Sequence, residues 1–359
     1  MNHLVLNEAN SIVSEKWVTE IVAAYGNAET TLFISPSGNE IKERQWDLAS
    51  VTKLFSLVSI LSMHENKLFS INKRVKDYTN KYPNLSDIYI YDLMNFSLEL
   101  TTSSRIDTCG NYDYAIDLLH GIQIKSSKTT YSDMGVMVIV QLLNEINQSE
   151  FFFRDYTYDL LRRVNVKNTH WWKDLDIGKG NIENYDSEYR CIDGKLIKIN
   201  TPIGTCHDPK ARIVPYSGHS GLFSNTTDIT AFANALLSGR IISLETLSIL
   251  FDNKYDIWDE THHYGLLCNK KHPNTEFSEI PISCSDNSIA ISGYTGTYFL
   301  LDFEKNIYIF IGANRIHNRI TNLNHEDRRF ELPCTKDYVF RKDVLVNLIA
   351  DELCEPHNR

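Results

Sequence analysis

Near the start of the chain, Ile12, Val13, Trp17, Ile21 and Val22 recur close to helical spacing, which predicts an amphipathic helix over residues 8–24. The apolar run Thr30–Ile34 is short and β-type. The turn formers Ser35-Pro36-Ser37-Gly38-Asn39 follow it, so a hairpin is expected there. A helix from about Ser50 to His64 comes next. Between roughly 66 and 244 the periodicity is mostly helical, broken by loops. Within it, residues 172–217 are polar and show little periodicity. That is long for a loop without structure of its own, and loops of that kind are often functional. Beyond residue 244 the character changes again. Thr297–Phe303 and Ile307–Ala313 are apolar runs separated by Glu304-Lys305-Asn306, which reads as an antiparallel hairpin. Both runs are apolar nearly throughout, so helices are expected on both faces. A final helix over about 336–353 carries Val339, Val344, Leu345, Leu348 and Ile349.

The order is helix, strands, helical middle, strands, helix. It predicts an α+β fold of the α/β sandwich type. One antiparallel sheet is built from both chain ends, residues 1–65 and 245–359, and flanked by the terminal helices. A mainly helical region, 66–244, is inserted between them, and the cleft between the two parts is the expected site.

Composition narrows the partners. The chain's 359 residues suffice for a large core. Its 36 Lys+Arg against 46 Asp+Glu leave a formal net charge of −10, with no basic cluster on a scale to offset it. Nucleic acid and anionic membranes are therefore poor partners. The seven cysteines (Cys109, Cys191, Cys206, Cys268, Cys284, Cys334 and Cys354) are scattered, odd in number and form no CxxC. That is the usage of reduced thiols. No basic region leads into an apolar stretch at the N-terminus, and no apolar run is long enough to span a bilayer. A soluble, cytoplasmic protein is expected.

Candidate chemistry begins with serine at i and lysine at i+3. On a helix their Cβ atoms lie about 5–6 Å apart on one face. A neutral lysine amine there can take the hydroxyl proton, provided burial or nearby cations lower its pKa. Two segments match: Ser50-Val51-Thr52-Lys53 and Ser70-Ile71-Asn72-Lys73. Context separates them. Lys53 shares an apolar stripe with Leu54, Leu57, Val58 and Leu61, whereas Lys73 lies beside Arg74 and Lys76 in a polar run. Ser50 also stands where its helix begins, and first-turn N–H groups are open to an oxyanion. The plainer alternative is an N-cap serine with Lys53 reaching outward.

Further motifs follow in order. Trp46-Asp47-Leu48-Ala49-Ser50-Val51-Thr52-Lys53 precedes Tyr131-Ser132-Asp133-Met134-Gly135. Then come His207-Asp208-Pro209-Lys210-Ala211, Ser217-Gly218-His219-Ser220-Gly221-Leu222-Phe223-Ser224, Gly293-Tyr294-Thr295-Gly296-Thr297 and Asn314-Arg315-Ile316-His317. As an ordered set over roughly residues 8–350, they resemble the serine β-lactamase/penicillin-binding-protein-like superfamily, in its class C β-lactamase/esterase branch. The resemblance implies Ser50 as nucleophile, Lys53 as its base and the Tyr131 hydroxyl as proton shuttle. It sets Tyr294, Thr295, Gly296 and Thr297 along the substrate-binding edge, with the Thr297 N–H as second oxyanion donor beside that of Ser50. Tyr78-Thr79-Asn80 and Tyr82-Pro83-Asn84 also read Tyr-x-Asn, but only Tyr131 leads into a long apolar helix.

Two positions depart from the family pattern. Asp133 stands where β-lactamases have asparagine, and an ionised carboxylate only accepts hydrogen bonds. Tyr294 stands where lactamases and cell-wall peptidases have a cation that helps to hold the substrate carboxylate. This argues against β-lactams or D-Ala-D-Ala ends as substrates. His219 and His207-Asp208 are expected to brace loops beside the cleft. Gly218-His219-Ser220-Gly221 fails the G-x-S-x-G pattern at Leu222. No metal, cofactor or nucleotide motif is found, and His262-His263 lacks metal-site spacing. The expected function is therefore a serine hydrolase that forms an acyl-enzyme on Ser50 from an ester or amide of a small molecule or peptide. An acyltransferase of small metabolites, or a catalytically idle ligand-binding relative, shares the same residues.

Overall fold

The computed structural model describes residues 3–178, 181–183, 188–192, 195–317, 319–321 and 342–354. Its centre is an eight-stranded antiparallel sheet. In chain order the strands are β1 (Ile21–Gly26), β2 (Thr31–Ile34), β3 (Ile257–Trp258), β4 (His263–Gly265), β5 (Cys268–Lys270), β6 (Ser288–Ser292), β7 (Tyr298–Asp302) and β8 (Ile307–Ala313). They lie side by side as β3-β4-β5-β6-β7-β8-β1-β2. The two chain ends meet where β1 pairs with β8, in the register Ile21↔Ala313 to Gly26↔Tyr308.

The alternation of β8 explains the two covered faces. Ile309 and Ile311 point to one side, where they pack with α1 (His3–Ser14) and α7 (Lys342–Cys354) through Val5, Ile12, Leu345 and Ile349. Tyr308 and Phe310 point to the other side, into a core shared with α2 (Thr52–Glu65) and the inserted helices. These include α3 (Ile90–Met94), α4 (Met134–Ile146), α5 (Phe152–Arg163) and α6 (Thr226–Leu237). Strands buried on both faces read as continuous apolar runs, as Ile307–Ala313 does.

Four expectations need correction or limit. The helix predicted over 8–24 ends at Ser14, and Ile21 and Val22 belong to β1. Pairing with β8 decides their conformation, because both faces of that strand are buried. The hairpin at Thr30–Ile34 forms with β1, through a turn at residues 27–30, and not with the segment after Ser35. The stretch 172–217 contains its own hairpin, Glu188–Ile192 with Lys195–Ile199. The last helix begins at Lys342 among the described residues; Val339 and the rest of 336–341 lie outside them, as does Cys334. Cys109, Cys206, Cys268, Cys284 and Cys354 carry free thiols. No described helix is long and apolar enough to cross a membrane.

Helix α2 carries the candidate nucleophile's base, and every residue from Thr52 to Met63 is buried. Its serines recur every third residue and make a narrow face of small side chains. Each finds a partner: Ser56 Oγ donates to the Gly218 carbonyl at 2.7 Å, Ser59 meets Thr157 Oγ1 at 3.0 Å, and Ser62 meets Tyr156 Oη at 3.0 Å. Satisfied hydroxyls let these three serines sit in the core at little cost.

Candidate active site

A single turn of 3-10 helix, Ala49–Val51, leads into α2 and carries Ser50. Ala49 before it has φ 44°, a left-handed conformation that costs an alanine about 1 kcal/mol or more. Asp47 holds the turn. Its carboxylate accepts from the Ala49 N–H at 2.9 Å and from the His207 N–H at 2.7 Å. The opposite wall is tied to the same turn, because Thr295 Oγ1 donates to the Asp47 carbonyl at 2.6 Å and Thr297 Oγ1 to the Leu48 carbonyl at 3.0 Å. The segment leading into β7 is thus fixed beside Ser50.

Lys53 is fully buried. Its ammonium has three N–H donors, and the chain supplies three acceptors: Ser50 Oγ at 3.2 Å, Asp133 Oδ1 at 2.7 Å and the His219 carbonyl at 3.1 Å. Burial favours the neutral amine, but the Asp133 carboxylate and then Tyr131 outweigh it and hold Lys53 well above the usual lysine range. Burial raises the pKa of the Tyr131 hydroxyl, against the opposing pull of the neighbouring Lys53 and Ser50. The Tyr131 ring packs on Phe96, with centroids 4.9 Å apart, and its outer edge opens to the cleft.

Asp133 sits immediately before α4 and its carboxylate is shared. Lys53 takes Oδ1, and Lys210 donates to Oδ2 at 2.5 Å. Burial opposes the charge, yet Lys53, His219 and Lys210 together hold the carboxyl far below its ordinary range. Lys210 lies on a short helix, Pro209–Ile213, that Asp208 caps by accepting from the Ala211 N–H at 3.0 Å. The His219 ring is buried and braces this corner, with Nε2 3.1 Å from Asp208 Oδ1 and Nδ1 3.0 Å from Ser217 Oγ. His219 therefore meets Lys53 through its carbonyl, not its ring. Gly218 makes that approach possible. It has φ 79°, and a Cβ there would lie 2.7 Å from Val140 Cγ2 and 3.0 Å from Ser56 Oγ.

Ser50, Lys53, Tyr131 and Asp133 therefore meet in one hydrogen-bonded cluster, with Thr295, Gly296 and Thr297 along the facing wall. Tyr294 lies at the rim, stacked on His207 at 5.2 Å, with the Arg315 guanidinium 4.8 Å from its ring centroid. The rival pairs do not compete. Lys73 is exposed over the Tyr78 ring, and the Tyr78 hydroxyl is engaged with the Ser70 backbone. Tyr82 is buried in the inserted core. Asp133, Asp208 and His219 have atoms close enough to hold a metal ion. However, the ammonium groups of Lys53 and Lys210 already pair with the two Asp133 oxygens, so a metal cation there would meet two positive charges on the same carboxylate. The sequence reading gave no role to Asp47 or Lys210, although both stand inside motifs it singled out. A cavity of about 560 Å³ opens beside Tyr131, Asp133 and Lys210, walled by residues 99–107.

A serine at the start of a buried helix, with a lysine and a tyrosine hydroxyl converging on its oxygen, defines the β-lactamase-like class of serine hydrolases. The beta-lactamase family model matches residues 21–329, and the chain belongs to that family. It is similar in structure to a β-lactamase/D-alanine carboxypeptidase from Pseudomonas syringae, with a TM-score of 0.66, 14% identity, and 98% of this chain and 99% of that one covered. A class C β-lactamase from Rhodobacter sphaeroides aligns with a TM-score of 0.64, 13% identity, and 91% and 96% covered. In sequence it is 28% identical over 144 residues to an Escherichia coli O157:H7 protein that bears the name of a D-alanyl-D-alanine carboxypeptidase. That match covers 38% of this chain and 32% of the relative, so the chain spans about a third of the length of the curated relative.

Proposed function

We propose that the chain hydrolyses an ester or amide of a small molecule or peptide through an acyl-enzyme on Ser50. The observation that carries this is the fully buried Lys53, with its Nζ 3.2 Å from the half-buried Ser50 Oγ. Ser50 Oγ attacks the substrate carbonyl carbon, and the bond to the leaving oxygen or nitrogen breaks. The serine proton passes through Lys53 and Tyr131 to the leaving group. Water then attacks the acyl carbon and returns a proton to Ser50. The N–H groups of Ser50 and Thr297 stabilise the oxyanion in both steps.

Lys53 cannot accept a proton while all three of its N–H groups are present. Acylation therefore draws on the small neutral fraction, which grows about tenfold per pH unit below the lysine pKa. With Lys53 held above the usual lysine range, the acylation rate is expected to climb from neutrality to about pH 9 without levelling. The test is intact mass spectrometry after treatment with a fluorophosphonate or an activated ester. One adduct is expected on Ser50, its formation accelerating with pH, and none in Ser50→Ala. Folded wild-type protein that takes up no label would overturn the proposal.

A second reading concerns the substrate. The cation missing at position 294 has a counterpart in space, since Arg315 lies against the Tyr294 ring. That favours a substrate with a carboxylate near the scissile bond, as in peptides ending in D-Ala-D-Ala. Release of D-alanine from such a peptide, lost in Arg315→Ala, would support it. Turnover restricted to uncharged esters would exclude it.

A further inference from the structure

The structure assigns Lys210 as a positioning residue that offsets the charge of Asp133 and so keeps Lys53 able to serve as a base. This rests on the reading of Lys53 as the base of Ser50. An aspartate in place of a neutral amide poses a difficulty. A lone carboxylate 2.7 Å from a buried ammonium would fix its proton in place, and the site would hold a permanent ion pair instead of a base. Lys210 changes the balance. It binds the other oxygen of the same carboxylate, so Asp133 and Lys210 together form a unit of no net charge beside Lys53. That unit still accepts a hydrogen bond from Lys53, and Lys210 offsets part of the pull that the carboxylate exerts on the Lys53 proton. A second cation close to a lysine also disfavours its charged form, which is one recognised way of activating lysine.

The placement is built into the fold. Lys210 follows the Asp208 cap, and the buried His219 ring pins Asp208. The charged and titratable groups around Lys53 and Lys210 are Asp133, Tyr131, Asp208 and His219. On the cavity side there are also Arg105 and Asp107, which pair with each other, and Glu99, which pairs with Lys125. Asp133 faces both Lys53 and Lys210, so removing either lysine leaves the carboxylate to the other alone.

The experiment follows the Lys53 amine directly by 13C NMR titration of lysine-labelled protein. Its signal is assigned by its loss in Lys53→Met, and ester acylation of Ser50 is measured alongside. Lys210→Met should raise the Lys53 midpoint by about one pH unit or more and slow acylation about tenfold at a fixed pH. Adding Asp133→Asn to Lys210→Met should bring the midpoint below that of the wild type and recover the acylation rate. Lys210→Arg, which keeps the charge, should leave the midpoint near the wild-type value. If Lys210→Met does not fold, Asp133→Asn compared with the double variant gives the same edge of the cycle, and loss of Lys210 should again raise the midpoint. An unmoved midpoint on removing Lys210, or a double variant no better than Lys210→Met, would overturn the assignment. Wild-type protein that never acylates at Ser50 would sink the hydrolase reading instead, whatever the titration gave.

Discussion

Lys53→Met is expected to slow acylation of Ser50 by an activated ester about 10³-fold while the fold survives. The rate loss follows from removing the base that takes the serine proton, a step worth roughly 10²–10⁴. Survival of the fold is less obvious. Lys53 is fully buried and bonded to Asp133, and stripping one partner from a buried pair commonly costs about 3–5 kcal/mol. Here the carboxylate keeps Lys210 at its other oxygen, so no charge is stranded. Methionine also fills nearly the same volume. Thermal melting close to that of the wild type, with adduct formation slowed by orders of magnitude, is the expected pair of results. A loss below tenfold would show that another group takes the proton.

The second large effect is on stability. Gly135→Ala should destabilise the protein by about 2 kcal/mol or more, read by denaturant unfolding. Helix propensity alone points the other way, since alanine in a helix interior is favoured over glycine by about 1 kcal/mol. Packing overrides it. A Cβ at Gly135 would lie 1.9 Å from the Leu93 carbonyl oxygen and 2.9 Å from its carbon. Both groups are backbone, so α3 and α4 would have to separate, and overpacking of this kind costs about 1–3 kcal/mol or more. Because Asp133 stands just before α4, acylation should fall as well. Gly121→Ala is the internal control: its Cβ would meet the nearest atom, the Asp117 carbonyl oxygen, at an ordinary 3.5 Å. It should change stability by less than about 0.5 kcal/mol.

What the sequence revealed depended on how local each signal was. The hairpin of β7 and β8 and the helix after Ser50 were legible because their apolar periods are long and unmixed. Burial of Lys53 was legible from its apolar neighbours, which set it apart from Lys73. Ile21 and Val22 misled because they continue a helical spacing by chance; only pairing with β8 shows them to be strand. The third bond to Lys53 comes from a backbone carbonyl, and no residue type announces one. The partnership of Lys210 with Asp133 joins two segments distant in sequence. Lys210 lies within a recognised motif, but nothing in that motif indicates which carboxylate it meets. Tyr294 was read as the loss of a cation, whereas Arg315, from the end of β8, lies against its ring.

The pairing of β1 with β8 bears on how the protein is made. Ser50, Lys53 and Tyr131 are all synthesised long before Ala313, the partner of Ile21. Until β8 emerges, β1 has no neighbour on that side, and no strand joins it to the wall that carries Thr297. A nascent or truncated chain would thus hold Ser50 without Thr297 fixed beside it, and would expose an unpaired strand edge of the kind that drives aggregation. Long-range closure of this sort also slows folding. The site and the closed sheet would then be completed together, late, when the last central strand slots between the first strand and β7.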